Sequence, residues 1–114
     1  MRRKYRLRRN SDFQQVRQHG KVYASPFMVL AFVRNELDHS RFGFVTSKRL
    51  GKAVQRNKIK RRMREATRLQ LSYIKPGFDL VIIARQPICK ATYQEIEKTL
   101  LHLLKKSNLL ISPK

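Results

Sequence analysis

Residues 41–84 read RFGFVTSKRLGKAVQRNKIKRRMREATRLQLSYIKPGFDLVIIA. The first seven alternate as a strand does, with Phe42, Phe44 and Thr46 pointing one way and Gly43, Val45 and Ser47 the other. A helix is expected over roughly residues 53–72, where Ile59, Met63, Ala66 and Leu69 recur at helical spacing as one apolar stripe. Lys75-Pro76-Gly77 makes a turn, and the apolar run 78–84 (FDLVIIA) reads as a second strand, central in its sheet because it has no polar face.

Working outward, Asn10-Ser11-Asp12 opens a short helix over roughly 11–19, with Phe13 and Val16 three apart and Gly20 as its stop. Residues 21–34 are rich in Val, Phe and Tyr and are broken by Ser25-Pro26. They read as two strand segments, because proline cannot donate to a ladder. Residues 35–40 are a polar turn. Thr92 and Glu95 have the spacing of a capping box, ahead of a last helix carrying Ile96, Leu100, Leu103 and Leu104 and ending in Lys105 and Lys106.

The expected fold is α+β, an α/β sandwich of about four strands and three helices in the order helix, strands, helix, strand, helix. One domain over 1–114 suffices, with a basic N-terminal arm at 1–9 and a short C-terminal tail at 107–114. The arm holds six Lys or Arg (Arg2, Arg3, Lys4, Arg6, Arg8, Arg9), and such a run taken alone would be disordered.

Charge decides the class of partner. The 114 residues hold 27 Lys and Arg against 7 Asp and Glu, a formal net charge of +20. A polyanion relieves that self-repulsion, and nucleic acid is the leading candidate because each phosphate contact releases counterions. No apolar run approaches a membrane span, no signal-type apolar stretch follows the basic start, and Cys89 has no partner for a disulfide. A soluble, cytoplasmic protein without a membrane or small-molecule partner is expected.

The basic residues concentrate in 47–68, where ten of 22 are Lys or Arg and only Glu65 is acidic. On a helix, Asn57, Lys60, Arg61, Arg64 and Arg68 gather opposite the apolar stripe as a ladder of exposed cations. An ordinary surface helix mixes both signs, and the excess of Arg favours phosphate, which guanidinium grips in bidentate fashion. Gly51-Lys52 is not a phosphate loop, since the earlier glycine and the following Ser or Thr are missing.

A protein nuclease needs converging carboxylates or paired histidines. Asp12, Glu36, Asp38, Glu65, Asp79, Glu95 and Glu97 are scattered along the chain, as are His19, His39 and His102. No catalytic residue and no metal site on the protein are therefore expected.

The stretch Lys48-Arg49-Leu50-Gly51-Lys52-Ala53-Val54, followed by Arg56-Asn57-Lys58-Ile59-Lys60-Arg61-Arg62-Met63-Arg64-Glu65, resembles the signature of bacterial ribonuclease P proteins. Arg6-Leu7 with Asp12-Phe13, residues 43–47 and residues 78–85 also match that family by character, so the likeness runs along nearly the whole chain. It implies a left-handed βαβ crossover and an accessory role in the magnesium-dependent removal of the 5′ leader from precursor tRNA. The RNA subunit would hold the magnesium and perform the hydrolysis.

Carried over by resemblance, Lys48, Arg49, Lys52, Arg56, Asn57, Lys58, Lys60, Arg61, Arg64 and Arg68 face the catalytic RNA. Phe13, Arg17, Val45, Ser47, Arg85 and Lys90 line a cleft for the leader. Some members carry an aromatic where this chain has Arg17, so a charge contact is expected there in place of stacking. The alternative is a small basic ribosomal-type or chaperone-like RNA-binding protein, which composition alone does not separate from the first reading.

Overall fold

A computed structural model describes residues 1–111 of the chain. Helix α1 (Asn10–His19) leads into strands β1 (Lys21–Ala24), β2 (Met28–Arg34) and β3 (Arg41–Val45). Helix α2 (Ala53–Gln70), strand β4 (Phe78–Ala84) and helix α3 (Tyr93–Lys106) follow. The sheet order is β1-β2-β4-β3. β4 runs antiparallel to β2 and parallel to β3, so α2 is the crossover between two adjacent parallel strands. The apolar run 78–84 is interior, as its sequence suggests.

The register assigns each side chain to a face. Phe32, Leu80 and Phe42 lie abreast, as do Leu30, Ile82 and Phe44, and these rows pack against α2 and α3. The intervening residues Ala31, Val81 and Gly43 face the other way and meet α1. The helices thus cover both faces of the sheet. α3 is fixed at its start by the capping box, in which Thr92 Oγ1 accepts from the Glu95 amide and the Glu95 carboxylate from the Thr92 amide.

Three local features depart from the sequence reading. β3 ends at Val45, and a 3₁₀ turn (Lys48–Leu50) begins after Ser47. The α2 stripe turns inward through Ile59, Met63, Ala66 and Thr67, leaving Leu69 45% exposed. Thr67 takes the buried place because its hydroxyl donates to the Met63 carbonyl at 2.9 Å, which removes the cost of burying it.

The third departure is the basic arm, which lies along the sheet. The Leu7 amide donates to the Phe42 carbonyl at 2.9 Å and Leu7 is buried, so this segment covers the free edge of β3. At the other end Asn108, at φ 61°, wraps the chain back so that Leu109 is buried and Leu110 bridges Ile74. Residues 112–114 of the expected tail lie outside the described residues.

Candidate nucleic-acid interface

Strand β3 is the seam of the site. Its end runs into the turn that carries Lys48 and Arg49, both exposed, and then into Lys52, the residue before α2. Gly51 has φ 124°, a conformation that a side chain at this position would strain, and it swings the chain from the turn into the helix.

On α2, Arg56, Lys60 and Arg64 are spaced four residues apart and form one half-buried row on the flank nearest β3. Arg64 lies over the Phe44 ring, 6.0 Å from its centroid. The Nε atoms of Arg56 and Arg64 are buried and have no hydrogen-bond partner within the protein. Burial, and then the charge of nearby Arg6, lower the Arg64 pKa from its usual value. These cations are drawn out of water with no carboxylate opposite them, an arrangement that an anion would relieve. Half-burial of Lys60 and Arg64 corrects the expectation of a fully exposed ladder, because the helix sits low enough on β3 to tuck its flank against Phe44.

Asn57 and Arg61 are exposed on the outward side of that row. Arg68 is exposed there too, but it is committed to Glu65 through Nε at 2.9 Å and Nη2 at 2.7 Å. Lys58, more than half a turn from Arg56, projects from a different side of the helix and is not gathered with the row.

On the other face of the sheet, α1 lies across the row of Gly43, Val81 and Ala31. Its Phe13 ring packs so closely on Gly43 that a Cβ there would stand 2.3 Å from the ring. Asp12 faces one side of α1, where it is 3.6 Å from Arg41. Arg41 is held chiefly by Asp79, through Nε at 3.0 Å and Nη2 at 2.7 Å. Those hydrogen bonds raise the Arg41 pKa above its ordinary value against the opposing effect of burial.

Phe13 and Arg17 lie one turn apart on the opposite side of α1, beside a trough floored by Val45, Ile83 and Val29. These three are abreast in the register and only half-buried, and Ala24 continues the row exposed. Ser47 and Arg85 stand beyond the matching ends of β3 and β4. The Arg85 guanidinium reaches over to donate to the Ser25 carbonyl at 2.8 Å.

The structure therefore brings Phe13, Arg17, Val45, Ser47 and Arg85 to one trough. Lys90 is not among them. It ends a 3₁₀ segment (Gln86–Lys90) whose Ile88 is buried with α2 and α3 and whose Cys89 thiol donates to the Leu50 carbonyl. That packing holds Lys90 near the 48–50 turn and away from α1.

Several members of the surface were missed in the sequence. Ile83 and Val29 join the trough only through strand register, and Arg6 reaches Arg64 only because the arm is pinned on β3. The near-continuous apolar runs of β2 and β4 show neither which residues face α1 nor which strands are neighbours. Among the described residues no three His, Cys, Asp or Glu side chains converge as metal ligands would, and no helix is long and apolar enough to cross a membrane.

The family model described as Ribonuclease P matches residues 1–108. The ribonuclease P protein component of Clostridioides difficile is 41% identical over 106 residues, covering 92% of this chain and 93% of the relative. That of Geobacillus kaustophilus is 44% identical over 108 residues, covering 94% and 89%. Among solved structures, a Staphylococcus aureus RNase P protein superposes with a TM-score of 0.87 at 40% identity, covering 94% of this chain and 98% of that one. The Thermotoga maritima RNase P protein gives 0.82 at 35% identity, covering 95% and 98%. With sequence, fold and cationic seam in agreement along the chain, the protein belongs to the ribonuclease P protein family.

Proposed function

We propose that the chain works as the RNA-binding subunit of a ribonuclease P whose catalytic centre lies in the RNA, and that it grips the 5′ leader of precursor tRNA. The observation that carries this reading is the convergence of two unlike surfaces on β3. A shallow apolar trough with one aromatic and two arginines lies on one face, and an uncompensated row of cations lies over the other.

The trough suits a single strand, because unstacked bases can lie on Phe13 and the aliphatic floor while Arg17 and Arg85 meet phosphates. The cations of α2 and of the 48–52 turn suit a folded RNA, whose dense phosphates they neutralise. A strand leaving the trough past Ser47 would reach that folded RNA directly. The protein's contribution is then to screen RNA–RNA repulsion and to favour precursor over product, while magnesium held by the RNA activates water. This work is expected in the cytoplasm.

The test is cleavage of a precursor tRNA at low magnesium by a bacterial ribonuclease P RNA, with and without the protein. Stimulation with no cutting by the protein alone is the expected result. Binding of precursor and mature tRNA to the protein–RNA complex should differ in favour of the precursor, and equal affinity would remove the leader assignment. RNA binding without stimulation would instead favour a ribosomal-type role.

A further inference from the structure

At the edge of the sheet away from β3, a groove of about 680 Å³ opens between β1, β2 and the carboxyl end of α3. Its aromatic lining is ordered. Tyr23 and Phe32 are stacked with centroids 6.0 Å apart and planes 7° off parallel. Phe78 meets Phe32 edge-on at 6.0 Å, and the Arg34 guanidinium lies over Phe78 at 5.5 Å. The rest of the wall is basic. Lys21, Arg34 and Lys106 are exposed, Lys75 is half-buried, and His19 stands at the rim. Among the described residues no carboxylate lines the groove.

We infer that this groove is a second binding surface for single-stranded RNA, separate from the trough and cationic row that converge on β3. The chemistry fits that one occupant. Four fixed positive charges with no counter-ion among the described residues call for a polyanion, and the half-buried rings of Tyr23 and Phe78, backed by the buried Phe32, call for bases, which stack on aromatic faces whatever their sequence. Double-stranded RNA fits poorly, because its bases are stacked inside and cannot reach rings recessed under α3.

The carboxyl end of a helix is the wrong pole for phosphate, yet here that pole is muted. The amides of Ser107, Asn108 and Leu109 donate to the carbonyls of Leu103, Lys105 and Leu104, and Lys106 stands over the same turn. Two separate RNA surfaces would let one chain hold two separate strands, or two distant parts of one.

The experiment is ultraviolet crosslinking of the full chain to a single-stranded RNA of about ten nucleotides, within the usual footprint of such surfaces. Crosslinked peptides are mapped and affinity is followed at several salt concentrations. Crosslinks at Tyr23 or Phe78, in addition to any at Phe13, are expected. The triple variant Lys21→Ala, Arg34→Ala, Lys106→Ala alters only exposed side chains, so its melting temperature should hold. It should lose the Tyr23 and Phe78 crosslinks roughly tenfold or more while keeping those at Phe13, with a shallower salt dependence.

Tyr23→Leu keeps apolar bulk over Phe32 but removes the stacking face. It should weaken the Phe78 crosslink about tenfold with the salt dependence unchanged. Absence of crosslinks at Tyr23 and Phe78 in the unaltered protein, or indifference of the Phe78 crosslink to the triple variant, would overturn the proposal. A Phe78 crosslink indifferent to Tyr23→Leu would also overturn it, reducing the rings to core packing. None of these outcomes depends on whether the leader binds at α1.

Discussion

The two faces of the sheet are built from the same strands and treated oppositely. On one, α2 and α3 close over Leu30, Phe32, Phe42, Leu80 and Ile82 and exclude water. On the other, a single ten-residue helix covers one row of Gly43, Val81 and Ala31 and leaves Val45, Ile83 and Val29 half-open beside it. A face covered by two helices supplies most of the apolar burial that holds the chain together. The face covered by one can leave a binding surface, because the stability it gives up is provided across the sheet.

That contrast breaks first, and with the largest effect, on the closed face. Leu100→Ala empties a site 1% exposed and should destabilise by about 2–5 kcal/mol in urea denaturation. RNA affinity per folded molecule should not change. A comparable loss from Val45→Ala would show that the two faces share the load equally.

Next in size is Asp79→Ala. It leaves Arg41, whose side chain is only 25% exposed, with Asp12 at 3.6 Å as its remaining partner. A stability loss of about 2–3 kcal/mol is expected, less than for a fully enclosed pair because water still reaches the guanidinium. Gly43→Ala should cost about 1 kcal/mol, since the Phe13 ring can swing aside to admit the methyl group. The same swing should erase much of the preference for precursor over mature tRNA, which a binding comparison would read.

The smallest stability effects belong to the cations. Arg61→Ala should change stability by less than about 0.5 kcal/mol and lower the salt dependence of RNA binding by about one phosphate contact. Arg64→Ala should cost more, about 0.5–1 kcal/mol, because its guanidinium packs over the Phe44 ring while Arg61 stands clear of the sheet. Identical salt slopes for the two variants, with both near neutral in stability, would place Arg61 and Arg64 in equivalent roles.

Much of this was legible in the chain because it is local. The capping box at Thr92 and Glu95, the break at Ser25-Pro26 and the apolar run of β4 each depend on residues within a turn or two of one another. The parity of β3 was legible for the same reason, and with it the opposite destinations of Phe44 and Val45. Leu69 was misjudged because periodicity marks a stripe but not how wide an arc the neighbours cover. The place of Lys90 was not legible because what positions its segment, Ile88 in the core and Cys89 on Leu50, lies far off in the sequence.

The sequence by itself determined the elements, the sign of the surface and the helix that carries most of its charge, since propensity, capping and net charge are properties of short segments. Only the tertiary structure decided that β4 pairs with both β2 and β3, which sets Ile83 beside Val45 and Val29 and so makes a trough. It also decided that the arm covers the β3 edge and carries Arg6 to Arg64, and that Tyr23, Phe32 and Phe78 share a basic groove under α3. Each of these is a meeting of residues distant in sequence, and such meetings follow from strand order and register, which no local pattern encodes.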